Sequence, residues 1–299
     1  MELKGIYPIV PTPFEADGAL DFDSIDAMTA FMIRKGVNGL AVLGALGEGH
    51  KLDAHERGDV VRRFKSNSPH DFGLVVGVRA AATDLAVRMA QSAQKDGADA
   101  LLLGPLPVQS DSVLFTYYQR VAAAVDLPVI IHDYPAATGV FMTPDLIAKI
   151  HHESENILYI KLEDPPTGPK MESVLEKTNN KIKVFGALGG MYAFEELDRG
   201  AVGIMTGFAY PELLVALYQR FRAGDIAGAA TLFYDMLPLN RLEFQPGIGV
   251  SIRKKVFVQR GIFKTPHVRH PGQDADEKTM GHIFRIVAHL KRRGYEISD

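Results

Sequence analysis

The sequence predicts a (β/α)8 barrel followed by a C-terminal helical extension. Three observations carry that prediction. Short apolar runs rich in β-branched residues alternate eight times with segments of helical periodicity across residues 1–222. The runs are apolar at consecutive positions, as strands buried on both faces of a parallel sheet are. The helix-to-strand joints also repeat. Lys35-Gly-Val-Asn-Gly39, Lys95-Asp-Gly-Ala-Asp99 and Arg199-Gly-Ala-Val-Gly203 each give a charged helix end, a closing glycine and a buried strand. Eight such units at this length fit a closed barrel of about 250 residues. A doubly wound open sheet is the competing arrangement, but no Gly-x-Gly-x-x-Gly turn follows the first strand.

Taken in order, residues 6–14 are β-branched but broken by Pro8, Pro11 and Pro13, so they read as a short strand entering a loop. The spacing of Ile25, Met28, Phe31 and Met32 predicts a helix over 23–35, with Asp21 or Asp23 as its N-cap. A second strand follows at 39–43. Helices over 53–64, 83–95, 113–125 and 143–152 lead to strands at 73–78, 100–103, 129–134 and 157–162. Helices over 170–179 and 191–199 lead to a strand ending at Phe185 and a last one at 203–206. A helix over 211–222 completes the eighth unit, which places the barrel at 1–222. Helices over 226–239, 248–260 and 274–293, with a loop at 264–272, make a helical extension over 223–299.

Composition narrows the function. The 299 residues are 46% hydrophobic and carry 33 basic against 36 acidic side chains, so no basic face for nucleic acid is expected. Arg253-Lys254-Lys255 and Lys291-Arg292-Arg293 read as solvated helix faces. Without cysteine there are no disulfides, thiolate nucleophiles or cysteine-held metals. No apolar run approaches the roughly 18 residues of a membrane span, and residues 1–5 lack the apolar core of a signal peptide. A cytoplasmic location is expected.

In such a barrel the reactive groups lie where strands end. The sixth strand ends in Lys161-Leu-Glu163-Asp164 before Pro165 and Pro166. A lysine buried in an apolar barrel interior loses protons readily and attacks carbonyl carbon, whereas one that leaves the core merely snorkels. His132, one strand away, is placed to move protons, or else caps its strand. Tyr134 shares its face and either assists or plugs the barrel top. Glu163 and Asp164 read as loop charges or helix caps, but Glu163, on the lysine's face, is also a candidate substrate contact. The loop Gly44-Ala45-Leu46-Gly47-Glu48-Gly49 can turn its N–H groups on a carboxylate or phosphate. Thr138, Gly186 and Met205 stand at the ends of strands five, seven and eight as further substrate contacts.

Together these residues resemble the dihydrodipicolinate synthase/N-acetylneuraminate lyase superfamily over essentially the whole chain. Pro11-Thr12-Pro13-Phe14, Gly44-Ala-Leu-Gly-Glu48, His132-Asp-Tyr-Pro-Ala-Ala-Thr-Gly139, Ile160-Lys161 and Gly203-Ile-Met-Thr206 are similar, in order and spacing, to that family's strand-end motifs. The resemblance implies a class I lyase. Lys161 would form an imine with pyruvate or another 2-oxo acid, Gly44 to Gly47 would bind the carboxylate, and no metal or organic cofactor would be needed. It also implies a homo-oligomer, tetramer or dimer. The departures are specific. Ala45 and Leu46 replace the family's loop hydroxyls, and His132 takes the place of its acid/base tyrosine. Ala137 takes the place of the arginine that grips a second carboxylate in the synthase. The position of the tyrosine lent by a neighbouring subunit falls near Leu106 or Pro107. These argue against an authentic synthase and for an aldolase or dehydratase of 2-oxo acids, such as a keto-deoxy sugar acid. Two competing readings are a metal-dependent barrel enzyme drawing on His50, Glu48, His132, Asp133 and Glu163, and a non-catalytic 2-oxo acid binder on the same scaffold.

Overall fold

The computed structural model describes residues 1–297. Eight parallel strands form one sheet: β1 (Gly5–Ile6), β2 (Gly39–Val42), β3 (Gly73–Val78), β4 (Ala100–Leu103), β5 (Val129–Asp133), β6 (Ile157–Leu162), β7 (Lys183–Gly186) and β8 (Gly203–Ile204). Their order is β1-β8-β7-β6-β5-β4-β3-β2. A bridge between Ile9 and Ala41 joins β1 to β2 and closes the ring. The first strand is shorter than the sequence suggests. Pro8 and Pro11 have no N–H to give, and pairing there falls to Val10 N–H with Ala41 O and Ala41 N–H with Pro8 O.

The outer ring holds α1 (Phe22–Arg34), α2 (Ala54–Ser66), α3 (Thr83–Asp96), α4 (Asp111–Ala122), a one-turn α5 (Pro135–Thr138), α6 (Pro144–His152), α7 (Thr167–Lys177), α8 (Ala193–Asp198) and α9 (Pro211–Arg222). Asp21 is the N-cap of α1, its carboxylate accepting from Ser24 N–H. The turn α5 was not foreseen: Pro135 at its first position pre-sets the backbone, and Gly139 ends it with φ of 69°. Two cores result. Leu3, Tyr7, Val75, Leu102, Ile130, Tyr159, Phe185 and Met205 fill the barrel, while a larger apolar layer lies between strands and helices.

The extension is α10 (Ile226–Glu243), α11 (Gly249–Gln259) and α12 (Glu277–Arg292). It corrects one expectation. Arg253 and Lys254 are not solvated: Arg253 is 4% exposed and Lys254 wholly buried. Their face of α11 packs over the C-terminal end of the barrel, where backbone carbonyls and carboxylates receive them. The Lys291-Arg292-Arg293 run does face solvent.

Candidate active site

β5 and β6 pair with His132 opposite Lys161, so both side chains leave neighbouring strands on the inward face. Lys161 is 4% exposed. Its Nζ pairs with Glu163 Oε2 and lies 3.2 Å from His132 Nε2. The same Oε2 stands 2.8 Å from His132 Nε2. Glu163 Oε1 accepts from the Leu188 N–H at 3.0 Å. Lys161 therefore does not sit in the apolar surroundings expected of it, and Glu163 is not a solvated loop charge. The alternation of β6 carries both to one face, and a buried ammonium requires a buried counter-charge.

Burial pushes the Glu163 carboxyl up, but the Lys161 charge and the His132 hydrogen bond outweigh it and hold the group well below the usual carboxylate range. Burial pulls His132 below its ordinary value. Lys161 adds to this, and the Glu163 carboxylate only partly opposes it. The ring is neutral near pH 7. In one tautomer its Nε2–H donates to Glu163; in the other Nε2 accepts from Lys161. Tyr134 stacks on His132 at 5.7 Å and 26°, with Lys161 Nζ 5.9 Å from its ring centre. Burial, with Glu163 adding and Arg253 opposing, pushes its phenol up to about 12, so it stays a donor.

The loop after β2 is bent tightly. Leu43 and Glu48 both adopt left-handed backbone, φ 57° and 53°. The Gly49 N–H bonds Gly44 O at 3.3 Å, and a Cβ on Gly49 would lie 2.1 Å from Leu43 O. Gly44, Ala45 and Leu46 line the cavity above Lys161. The N–H groups of Ala45 and Leu46 have no acceptor among the described residues. Gly47 turns away, its carbonyl accepting from the Thr12 hydroxyl at 2.6 Å. Behind the loop Glu48 is buried, paired with Lys254 at 2.5 Å and Lys51 at 2.9 Å, and accepts the Arg269 N–H at 3.1 Å. Lys254 Nζ lies 4.3 Å over the Phe14 ring, and burial pulls it down to about 8 against the pull of Glu48.

The cavity holds about 380 Å³. Lys161, His132 and Glu163 form its floor, and the 44–46 loop, Tyr134 and Ala137 its walls. Phe244, Gln245, Pro246, Val250 and Arg253 of the extension form the far side. The sequence reading missed that contribution entirely. Arg253 donates from Nη1 to Gly249 O at 3.0 Å and from Nη2 to Gly207 O at 2.9 Å.

Four expected contacts stand elsewhere. Gly47 faces Thr12, as above. The Thr138 hydroxyl bonds Tyr134 O and the Val140 N–H, beside an adjoining hollow. Gly186 makes room for Glu196, whose Oε2 would lie 2.2 Å from a Cβ there. Met205 points into the barrel interior with Tyr159 and Phe185. β8 stops at Ile204, and Thr206 and Gly207 cross the barrel top to line the cavity instead.

Of the residues weighed as metal ligands, only His132 and Glu163 meet. Glu48 is held by lysines, and Asp133 points outward to Lys170 at 2.6 Å. Burial raises the Asp133 carboxyl to about 6 despite that lysine. Among the described residues no group of three or more His, Asp or Glu side chains could hold a metal ion, and no helix is long and apolar enough to cross a membrane.

Known proteins resemble this chain in sequence and fold. The model of the dihydrodipicolinate synthetase family matches residues 2–290. The probable 2-dehydro-3-deoxy-D-pentonate aldolase YjhH of Escherichia coli (strain K12) is 32% identical over 244 residues, 80% of this chain and 81% of that protein. The L-2-keto-3-deoxyarabonate dehydratase of Azospirillum brasilense is 26% identical over 296 residues, 96% of this chain and 94% of that protein. The crystal structure of dihydrodipicolinate synthase from Rhodopseudomonas palustris matches with a TM-score of 0.91 at 33% identity, covering 96% of this chain and 98% of that one.

Proposed function

The chain belongs to the dihydrodipicolinate synthetase family, and from that premise we propose that Lys161 forms an imine with the keto group of a 3-deoxy sugar acid and cleaves it as an aldolase. The protein is a class I lyase acting on a 2-oxo acid, with no metal or organic cofactor. One observation carries the site assignment: the Lys161 amine on the cavity floor, bonded to Glu163 and 3.2 Å from His132. Relatives named as acting on 2-keto-3-deoxy sugar acids support the substrate class.

The substrate carboxylate lies against the Ala45 and Leu46 N–H groups, which need no hydroxyl to hold it. Lys161 gives a proton to Glu163 or His132 and attacks C2; that group returns the proton to the C2 hydroxyl, which leaves as water, and a protonated imine remains. Glu163, ionised beside it, stabilises that cation. Neutral His132 takes the C4 hydroxyl proton. The C3–C4 bond breaks, its electron pair flowing to the imine nitrogen, and a hydroxyaldehyde leaves. His132 returns its proton to C3 of the enamine, and water then releases pyruvate from Lys161. Tyr134 donates to the departing or arriving oxygen.

Borohydride with pyruvate should leave a reduced adduct on the Lys161 peptide, seen by mass spectrometry and absent from Lys161→Ala. No adduct with any 2-oxo acid ends this reading. Products assign the second step. Pyruvate plus an aldehyde means cleavage, whereas water loss without pyruvate means dehydration from the same imine.

The assembly proposed is a homo-oligomer, tetramer or dimer. Its support is an apolar patch: Val108, Val113 and Phe141 are exposed, and Gln109 bonds both backbone groups of Phe141. Light scattering on the eluting protein tests it. A cytoplasmic location goes with the same reading, supported by the absence of cysteine.

A further inference from the structure

Arg253 is a buried guanidinium with idle donors. A guanidinium carries five N–H groups. Two are bonded, to Gly249 O and Gly207 O. Nε approaches Glu243 Oε2 to 3.3 Å without a hydrogen bond. One N–H on each Nη has no acceptor among the described residues. Buried donors left unmade are costly and call for an explanation. Arg253 lines the cavity beside Gly207 and the Leu46 side chain, so the cavity's contents are the available acceptor.

The chemistry of that acceptor follows from the neighbours. Glu243 is wholly buried behind Arg253 and does not line the cavity. Burial raises its carboxyl to about 7 against the pull of Arg253, so it offsets the guanidinium only in part. Lys161 is offset by Glu163. Beside Arg253, Gln245 gives its Nε2 to Leu242 O at 2.7 Å and keeps its side-chain Oε1 unbonded among the described residues. The Thr206 hydroxyl also lines this side. The wall thus offers donors and acceptors together. A carboxylate uses only the donors, whereas hydroxyl groups use both.

We infer that Arg253 is the specificity-determining residue, accepting the hydroxylated far end of the substrate, with Gln245 and Thr206 completing the pairing. This rests on the aldolase reading above for the orientation of the substrate, carboxylate on the loop and tail on α11.

The test uses ligands that need no imine. Calorimetric affinities of the full chain are compared for a six-carbon open-chain aldonate, hexanoate and adipate. The aldonate should bind at least ten-fold more tightly than hexanoate and adipate, and Arg253→Met should erase most of that preference. Arg253→Lys reads the same ratio if the methionine variant does not fold. Equal binding of aldonate and hexanoate overturns the proposal, as does a preference for adipate, or an equal loss for all ligands. Pyruvate trapping is measured separately: its failure sinks the imine, while the aldonate ratio still judges Arg253.

Discussion

The Lys254 ammonium stands 2.5 Å from Glu48 Oε1, with neither side chain exposed to solvent. A helix of the extension thereby holds the loop proposed to meet the substrate carboxylate. Lys254→Met leaves that oxygen of Glu48 buried without a partner, since the other oxygen takes Lys51 and the Arg269 N–H. Such a break costs about 3–5 kcal/mol, which calorimetry will read as a Tm lower by roughly 6–20 °C. Adding Glu48→Gln should recover part of the loss. In protein that remains folded, KM for the 2-oxo acid should rise about ten-fold with a smaller change in kcat, because the loop binds rather than reacts. An unchanged KM would separate the pair from the loop's function.

Glu163→Gln keeps the shape of the cavity floor and removes its negative charge. The cationic imine loses its counter-ion, so kcat should fall by about 10²–10⁴-fold. Its carboxylate now raises the affinity of His132 for a proton. Without it His132 titrates lower, and the acid limb of kcat/KM should move to lower pH. A shift to higher pH would contradict this.

His132→Asn preserves a hydrogen-bonding group beside Glu163 but cannot titrate. Imine trapping should persist while turnover drops by about 10²–10⁴-fold, and the acid limb should vanish. His132 is held below its ordinary value, so the wild-type limb belongs below about pH 6.5. Tyr134→Phe distinguishes the two candidates for proton transfer: it should lower kcat less and leave that limb in place.

Glu196 gives a stability prediction with a defined sign. Burial raises its carboxyl to about 8, against the nearby Thr167 hydroxyl and Ala187 N–H that lower it. The folded state keeps a proton that the unfolded chain releases near the ordinary glutamate value of about 4.3. This contribution is complete below that value and is lost as pH rises through about 8. Glu196→Gln stays neutral throughout. Its Tm relative to wild type should therefore climb between pH 5 and pH 8.5, by about 2–4 °C for each kcal/mol. A flat difference would show that Glu196 ionises freely.

The barrel was legible because its signals are local. Apolar runs, helical stripes and glycine joints repeat within each unit, and adjacent strands make His132 and Lys161 neighbours. What lay beyond reach depends on distant partners. A basic triplet at 253–255 looks the same on a solvated helix as on one packed over a barrel; only Glu48 and the carbonyls of Gly207 and Gly249 decide it. Glu163 resembles a cap residue until Lys161, His132 and the Leu188 N–H converge on it. Met205 and Thr206 exchange roles because β8 stops two residues sooner than the run at 203–206 suggests. Gly186 is a glycine for the sake of Glu196, a reason visible only in three dimensions.

The shortness of β1 has a consequence for the chain before it closes. Until Ile9 meets Ala41, the outer rim of β1 is a free edge of the sheet, the place where another chain could add a strand. Pro8, Pro11 and Pro13 leave that rim with few N–H groups to offer, and prolines at edges hinder such pairing. The same residues that weaken the last join of the barrel thus guard the nascent protein against aggregation. Replacing Pro8 and Pro11 with threonine should increase light scattering during refolding from denaturant, even though the finished barrel would gain hydrogen-bond donors.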